Sequence, residues 1–152
     1  MKENTMRLCF DARSQNEAFA RVAVGAFFAQ LNPTLEQLAD VKTAVSEAVT
    51  NAIVHGYGGW EQAQVTIACR IEGERIEIAV MDQGVGIADV QQARKPFFTT
   101  GAPEQRSGMG FAVMEAFMDS LAVESRPGAG TTVTMTKIIP PQEGAEQSIE
   151  PS

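Results

Sequence analysis

Histidine, tryptophan and tyrosine occur once each in 152 residues, and cysteine only twice. One histidine excludes a zinc site built on several. The cysteines, Cys9 and Cys69, lie in separate strand-like runs without metal-ligand spacing, so both read as free buried thiols. No apolar run approaches the roughly 18 residues that a membrane-spanning helix needs. The opening stretch, MKENTMRLCF, has no hydrophobic segment of signal-peptide type, so the expected location is cytoplasmic, with no membrane partner. Positive charge is also scarce: 12 Lys and Arg stand against 19 Asp and Glu, a net charge of −7. The pI near 4.7 argues against direct nucleic-acid binding and is compatible with a basic protein partner. Two phosphate-binding signatures are missing as well. There is no G-x-x-x-x-G-K-[ST], and no G-x-G-x-x-G with its third glycine in place.

What is present suits one domain with one core: 44% of residues are hydrophobic and 20% charged. Met6 to Phe10 reads as a strand. Ser14 with Glu17 forms a capping-box pattern that opens a helix to about Leu31, and Thr34 with Gln37 forms a second that opens a helix to about Gly56. GYGGW, residues 56 to 60, is a loop by its glycines. QVTIACRI and RIEIAVMD alternate with period two around an EGE turn, which makes a hairpin with Val65, Ile67, Cys69, Ile71, Ile76, Ile78 and Val80 inward. A helix from about Met109 to Asp119 precedes a second hairpin, LAVES and TTVTMTKI, joined by RPGAG. Early helices and paired strands imply an α+β fold, a two-layer α/β sandwich whose mixed sheet is covered on one face by helices. The domain is expected over residues 1–138. Residues 139–152 have the composition of a disordered acidic tail; from Ile138 onward there are three Glu and no Lys or Arg.

Three stretches carry candidate chemistry. In SEAVTNAIVHG, Glu47 and Asn51 lie one helical turn apart, opposite the apolar stripe of Leu38, Val41, Val45, Ala48, Val49 and Ala52. A solvated face is one reading. Against it, the flanking positions Ala44, Ala48, Ala52 and Val54 are small or apolar, and no Lys partner lies nearby on that face. Asp82 ends an apolar strand and is followed at once by Gly84 and Gly86, which permit close backbone approach to a ligand; D-x-G is also common in turns. SGMG, residues 107 to 110, stands at a helix start. Its free N–H groups suit an anion, and a plain cap is the alternative. His55 reads as a helix-end histidine near the C-terminal dipole.

In combination these features are far more specific. A helix with E-x-x-x-N, a strand ending in D-x-G-x-G, a loop, a glycine-flanked helix start and a GTT strand follow in that order from Asp40 to Lys137. The chain thereby resembles the GHKL ATPase superfamily, which implies a Bergerat-type ATP-binding fold. Over about Asn4 to Lys137, NTMRL, ARSQNEAFARVAV, SEAVTNAIVHGY, DQGVGI, FTT and QRSGMGF are similar to the anti-sigma-F factors of spore-forming bacteria. The likeness does not extend to the tail, and the loop at Gly58 to Gln62 departs from it.

That resemblance implies an ATP- and Mg²⁺-dependent protein-serine kinase. It would phosphorylate an anti-anti-sigma protein and hold a sigma factor as a homodimer. Glu47 would be the general base, Asn51 the Mg²⁺ ligand, and Asp82 the acceptor for the adenine amine, with Gly84 and Gly86 against the base. Lys95 to Ser107 would form a lid that brings Thr99 and Thr100 to ATP. Ser107, Gly108, Met109 and Gly110 would bind phosphate, Arg106 would reach the γ-phosphate, and Thr132 would support the adenine end. Arg21 matches an arginine that contacts the sigma factor in the family. The alternative is a non-catalytic, nucleotide-gated sigma-binding module.

Overall fold

The computed structural model describes residues 3–95 and 110–140. Strand β1 (Asn4–Asp11) leads to helix α1 (Gln15–Phe28) and a 3₁₀ turn (Ala29–Leu31). Helix α2 (Leu35–Thr50) runs on into a π-helical turn (Asn51–Gly56). The hairpin of β2 (Gln64–Glu72) and β3 (Arg75–Asp82) is followed by a single turn, α3 (Val90–Ala93). Helix α4 (Gly110–Phe117) and the hairpin of β4 (Ser120–Arg126) and β5 (Gly130–Ile138) complete the fold.

The five strands form one sheet in the order β1-β2-β3-β5-β4, and every neighbouring pair is antiparallel. The α+β sandwich is as expected, but the sheet is antiparallel throughout rather than mixed. The β2–β3 and β4–β5 pairs are hairpins and so antiparallel by construction; the directions of the β1–β2 and β3–β5 pairs, which join segments separated by helices, were not written in any one segment. Inward positions follow the alternation: Val65, Ile67, Cys69 and Ile71 of β2, Ile76, Ile78 and Val80 of β3, and Val133 and Met135 of β5 are buried. Helices α1, α2 and α4 cover that face. Val41, Val45 and Val49 of α2 are fully buried, each worth about 1.5–3 kcal/mol. That exceeds the contribution of the α2 N-cap, about 0.5–2 kcal/mol, so packing rather than capping holds the helix.

The Thr34 capping box is formed: Gln37 N–H donates to Thr34 Oγ1 at 3.0 Å and Thr34 N–H to Gln37 Oε1 at 2.8 Å. The Ser14 box is not. Ser14 has helical backbone angles and no side-chain cap bond. Glu17 is engaged elsewhere, accepting a hydrogen bond from the Thr50 hydroxyl of α2 at 2.6 Å. Cys69 is buried as expected, whereas Cys9 is exposed, because its register on β1 points it to the open face of the sheet. Ile139 is buried and its N–H donates to the Glu74 carbonyl at 2.8 Å, so the packed chain reaches one residue past the expected boundary. No helix among the described residues is long and apolar enough to cross a membrane.

Candidate functional site

Between the end of α2, the end of β3 and the start of β5 lies a cavity of about 310 Å³. Ala48, Ala52, Val80, Ile87, Phe111 and Val133 supply apolar walls; Asn51, His55, Asp82, Asp89, Gln92 and Thr131 supply polar groups. Flat apolar walls with a few convergent polar atoms are the usual build of a small-molecule site.

Asp82 is the best-anchored of these groups. As the last residue of β3 it lies on the inward parity of the sheet, opposite Thr131 of β5, and is only 9% exposed. Gly84 N–H donates to its Oδ1 at 2.9 Å, and the Thr131 backbone N–H also donates to the carboxylate. Burial raises the Asp82 pKa, and the two backbone donors oppose that shift. A carboxylate held this way presents its remaining acceptor capacity to the cavity, where an exocyclic amine of a heteroaromatic base would satisfy it.

The glycines around Asp82 are required by close approach. A Cβ at Gly56 would come within 2.7 Å of the Asp82 carboxylate, and a Cβ at Gly84 would overlap the Gly56 carbonyl. Gly86 has φ +79° and would overlap the Arg126 carbonyl, while Val85 N–H donates to Gly56 O at 2.8 Å. Gly86 lines the cavity. Gly84 does not; it lets the loop lie directly on the π-turn.

Asn51 stands where α2 gives way to the π-turn, and its side chain lines the cavity. A Cβ at Gly110, the first residue of α4, would lie 3.2 Å from Asn51 Nδ2, so the α4 start closes directly on this amide. No cluster of three or more His, Cys, Asp or Glu able to hold a metal exists among the described residues. A lone amide oxygen fits Mg²⁺, which is commonly held by one or two protein oxygens together with phosphates and water. Glu47, one turn earlier, lies outside the cavity lining. It is half-buried on the side of α2 that faces α1, and its pKa is raised by burial and by the nearby charge of Glu17.

The alternation of β5 turns Thr131 and Val133 to the cavity, and Thr132 to the opposite face of the sheet. Thr131 rather than Thr132 therefore lines the cavity; two adjacent threonines cannot reveal strand parity by themselves. His55 is a helix-end residue as expected, in the last turn of the segment that ends at Gly56, and it also lines the cavity. Ser125 was not singled out at all. It accepts from Ile87 N–H at 2.7 Å and donates to Gly130 O at 2.9 Å, tying the loop after Asp82 to the β4–β5 hairpin. Arg21, on α1, is half-buried, 3.3 Å from Ser46 Oγ and 3.6 Å from Glu17 Oε1. Thr99, Thr100, Arg106, Ser107, Gly108 and Met109 lie outside the described residues.

Residues 10–137 match the model of the histidine kinase-like ATPase domain family. The anti-sigma F factor of Thermoanaerobacter sp. (strain X514) is 57% identical over 136 residues, which cover 90% of this chain and 94% of the relative. That of Bacillus licheniformis is 51% identical over 135 residues, covering 89% and 92%. Among solved structures, the catalytic domain of the histidine kinase ThkA superposes with a TM-score of 0.55 at 16% identity over 91% of this chain and 96% of that one, a likeness of fold. With the family's domain spanning most of the sequence and relatives of this closeness along nearly their whole length, the chain belongs to the histidine kinase-like ATPase family, in its branch of anti-sigma F factors.

Proposed function

We propose that this chain is a protein-serine kinase and anti-sigma factor that binds and inhibits a sigma factor of the sporulation sigma-F type. With Mg²⁺-ATP it phosphorylates a serine of its anti-anti-sigma antagonist. The observation that carries this reading is the meeting of separated motifs: Asn51, Asp82 and Gly86 line one cavity, and the α4 start closes on Asn51. The names of the close relatives support the sigma-factor half.

The reaction distributes over the chain's own residues. Asp82 accepts the adenine amine, and the apolar walls exclude water from the faces of the base. Asn51 would hold Mg²⁺ through its side-chain oxygen. Glu47 takes the proton from the attacking serine hydroxyl; its raised pKa makes it a stronger base than an ordinary carboxylate, and such a base contributes about 10²–10⁴-fold. The serine oxygen bonds the γ-phosphorus of ATP as the bond to the β-phosphate breaks and ADP leaves; Mg²⁺, when bound, would neutralise charge on the phosphate oxygens. Arg106 and the N–H groups of Gly108, Met109 and Gly110 are assigned to the phosphates, Thr99, Thr100 and Ser107 to the lid side, and Arg21 to the sigma factor. The working form is a homodimer in the cytoplasm.

Incubation with γ-labelled ATP and a candidate anti-anti-sigma protein tests this directly. Label on a serine of that protein is the expected result. Nucleotide binding and sigma inhibition without any label would instead establish a non-catalytic, nucleotide-gated module.

A further inference from the structure

The register of β2 on β3 sets Thr66 opposite Met81, and continued by two residues it would set Gln64 opposite Gln83. The ladder stops short of that pair. Gln83 N–H donates instead to the Tyr57 hydroxyl at 2.7 Å, and that hydroxyl donates to the Gln64 carbonyl at 2.6 Å. A phenol oxygen thus stands between a donor and an acceptor that would otherwise face each other across the sheet. One inserted hydroxyl roughly doubles the gap that a single N–H···O bond of about 2.9 Å would span.

The consequence falls on the residues next to Asp82. Beyond Gln83 the chain no longer follows β2. Gly84 N–H turns back to Asp82 Oδ1, and Val85 N–H reaches Gly56 O. Had the ladder continued, Gln83 to Val85 would run straight on beside β2, away from the cavity wall that Val85 and Gly86 help to form. Tyr57 is itself well fixed. Its N–H bonds Ala52 O at 3.0 Å at the end of the π-turn, and the Trp60 ring meets its ring edge-on, with centroids 6.4 Å apart and planes at 87°.

We infer that Tyr57 is a positioning residue for the nucleotide site, whose hydroxyl wedges the ends of β2 and β3 apart so that the Asp82–Gly86 turn is presented to the base. This rests on reading the cavity as an adenine-nucleotide site and adds to that reading a residue that never touches the ligand.

Tyr57→Phe removes both hydrogen bonds while keeping the ring and its contact with Trp60. Calorimetry with ATP and with ADP should show both dissociation constants rising by the same factor, on the order of tenfold for two lost hydrogen bonds. In the kinase assay the KM for ATP should rise in step, with the rate at saturating ATP kept within roughly twofold. The melting temperature of the nucleotide-free chain should fall by no more than a few degrees, and its increase on adding ADP should shrink. Unaltered affinity for both nucleotides, or a fall in saturated rate at unaltered affinity, overturns the inference. Wild-type chain that binds neither nucleotide overturns the underlying site reading, and this is measured first. Amide exchange on the wild-type chain is a second test that needs no variant. The Gln83 N–H should be protected to the level of β3 although its acceptor is a side chain, and exchange at the random-coil rate contradicts the wedge.

Discussion

Burial raises the pKa of Glu47, and the nearby charge of Glu17 on α1 adds to the shift. A general base works only when deprotonated, so phosphoryl transfer should rise as pH climbs through the Glu47 pKa, at a pH above the ordinary carboxylate range. Glu17→Gln removes the repulsion and should move this acid limb to lower pH, as rate profiles of the two proteins would show; coincident limbs would contradict the coupling. The two thiols offer a second contrast. Burial pushes Cys69 up to about 12, whereas Cys9 lies in the open. Under native conditions a thiol reagent should titrate one group rapidly and the second only after unfolding. At this scale the sequence was legible where chemistry is local. Asp82 and Asn51, which line the cavity, stood out because a carboxylate closing an apolar strand, and an amide on a helix face poor in charge, are unusual in themselves. Thr131, Ser125 and Tyr57 did not, because strand parity and side-chain reach across the sheet decide their roles.

The elements that build the site owe their form to packing that no single segment declares. Helix α2 continues the pattern of a long helix to Gly56, and its capped start is written plainly in Thr34 and Gln37. Its last turn widens into a π-turn at Asn51, which the apolar spacing does not announce, and this change aims His55 at the cavity. The Ser14–Glu17 pair shows the opposite outcome. Its local pattern was a capping box, yet Glu17 bonds Thr50 on the neighbouring helix, a tertiary partner that outcompetes the local one. The loop after β3 and the π-turn press backbone on backbone at Gly84 and Gly56. Gly84→Ala should therefore destabilise the chain by about 1–3 kcal/mol, the usual cost of overpacking, and weaken ATP and ADP alike. Denaturant unfolding beside nucleotide calorimetry checks this; wild-type values in both would show that the contact yields freely.

On the scale of the whole molecule, the proposed nucleotide cavity and the proposed sigma-factor contact fall on different elements. The nucleotide cavity opens where β3 and β5 meet the α2 and α4 ends, while Arg21 stands on α1 beside Ser46, on the seam that also holds Glu17 and Thr50. Arg21 is absent from the cavity lining, so nucleotide binding and sigma-factor binding can be tested apart, although Glu17 links Arg21 to Glu47 on the same seam. Arg21→Ala should weaken sigma-factor binding by about 2 kcal/mol, roughly thirtyfold, and leave ATP affinity nearly intact; an equal loss of both would place Arg21 in the nucleotide site. The grouping of helices and hairpins was legible because alternation and helical spacing are strong in this chain. The order of the strands and the direction of the β1–β2 and β3–β5 pairs were not, since they are set between distant segments. The central claim is that these surfaces serve phosphoryl transfer with Glu47 as base. The most direct measurement is the rate of serine phosphorylation of the anti-anti-sigma protein by Glu47→Ala at saturating Mg²⁺-ATP, with ATP affinity determined on the same preparation. The expected result is ATP binding close to wild type with transfer reduced at least about 10²-fold; transfer at near wild-type rate would contradict the account.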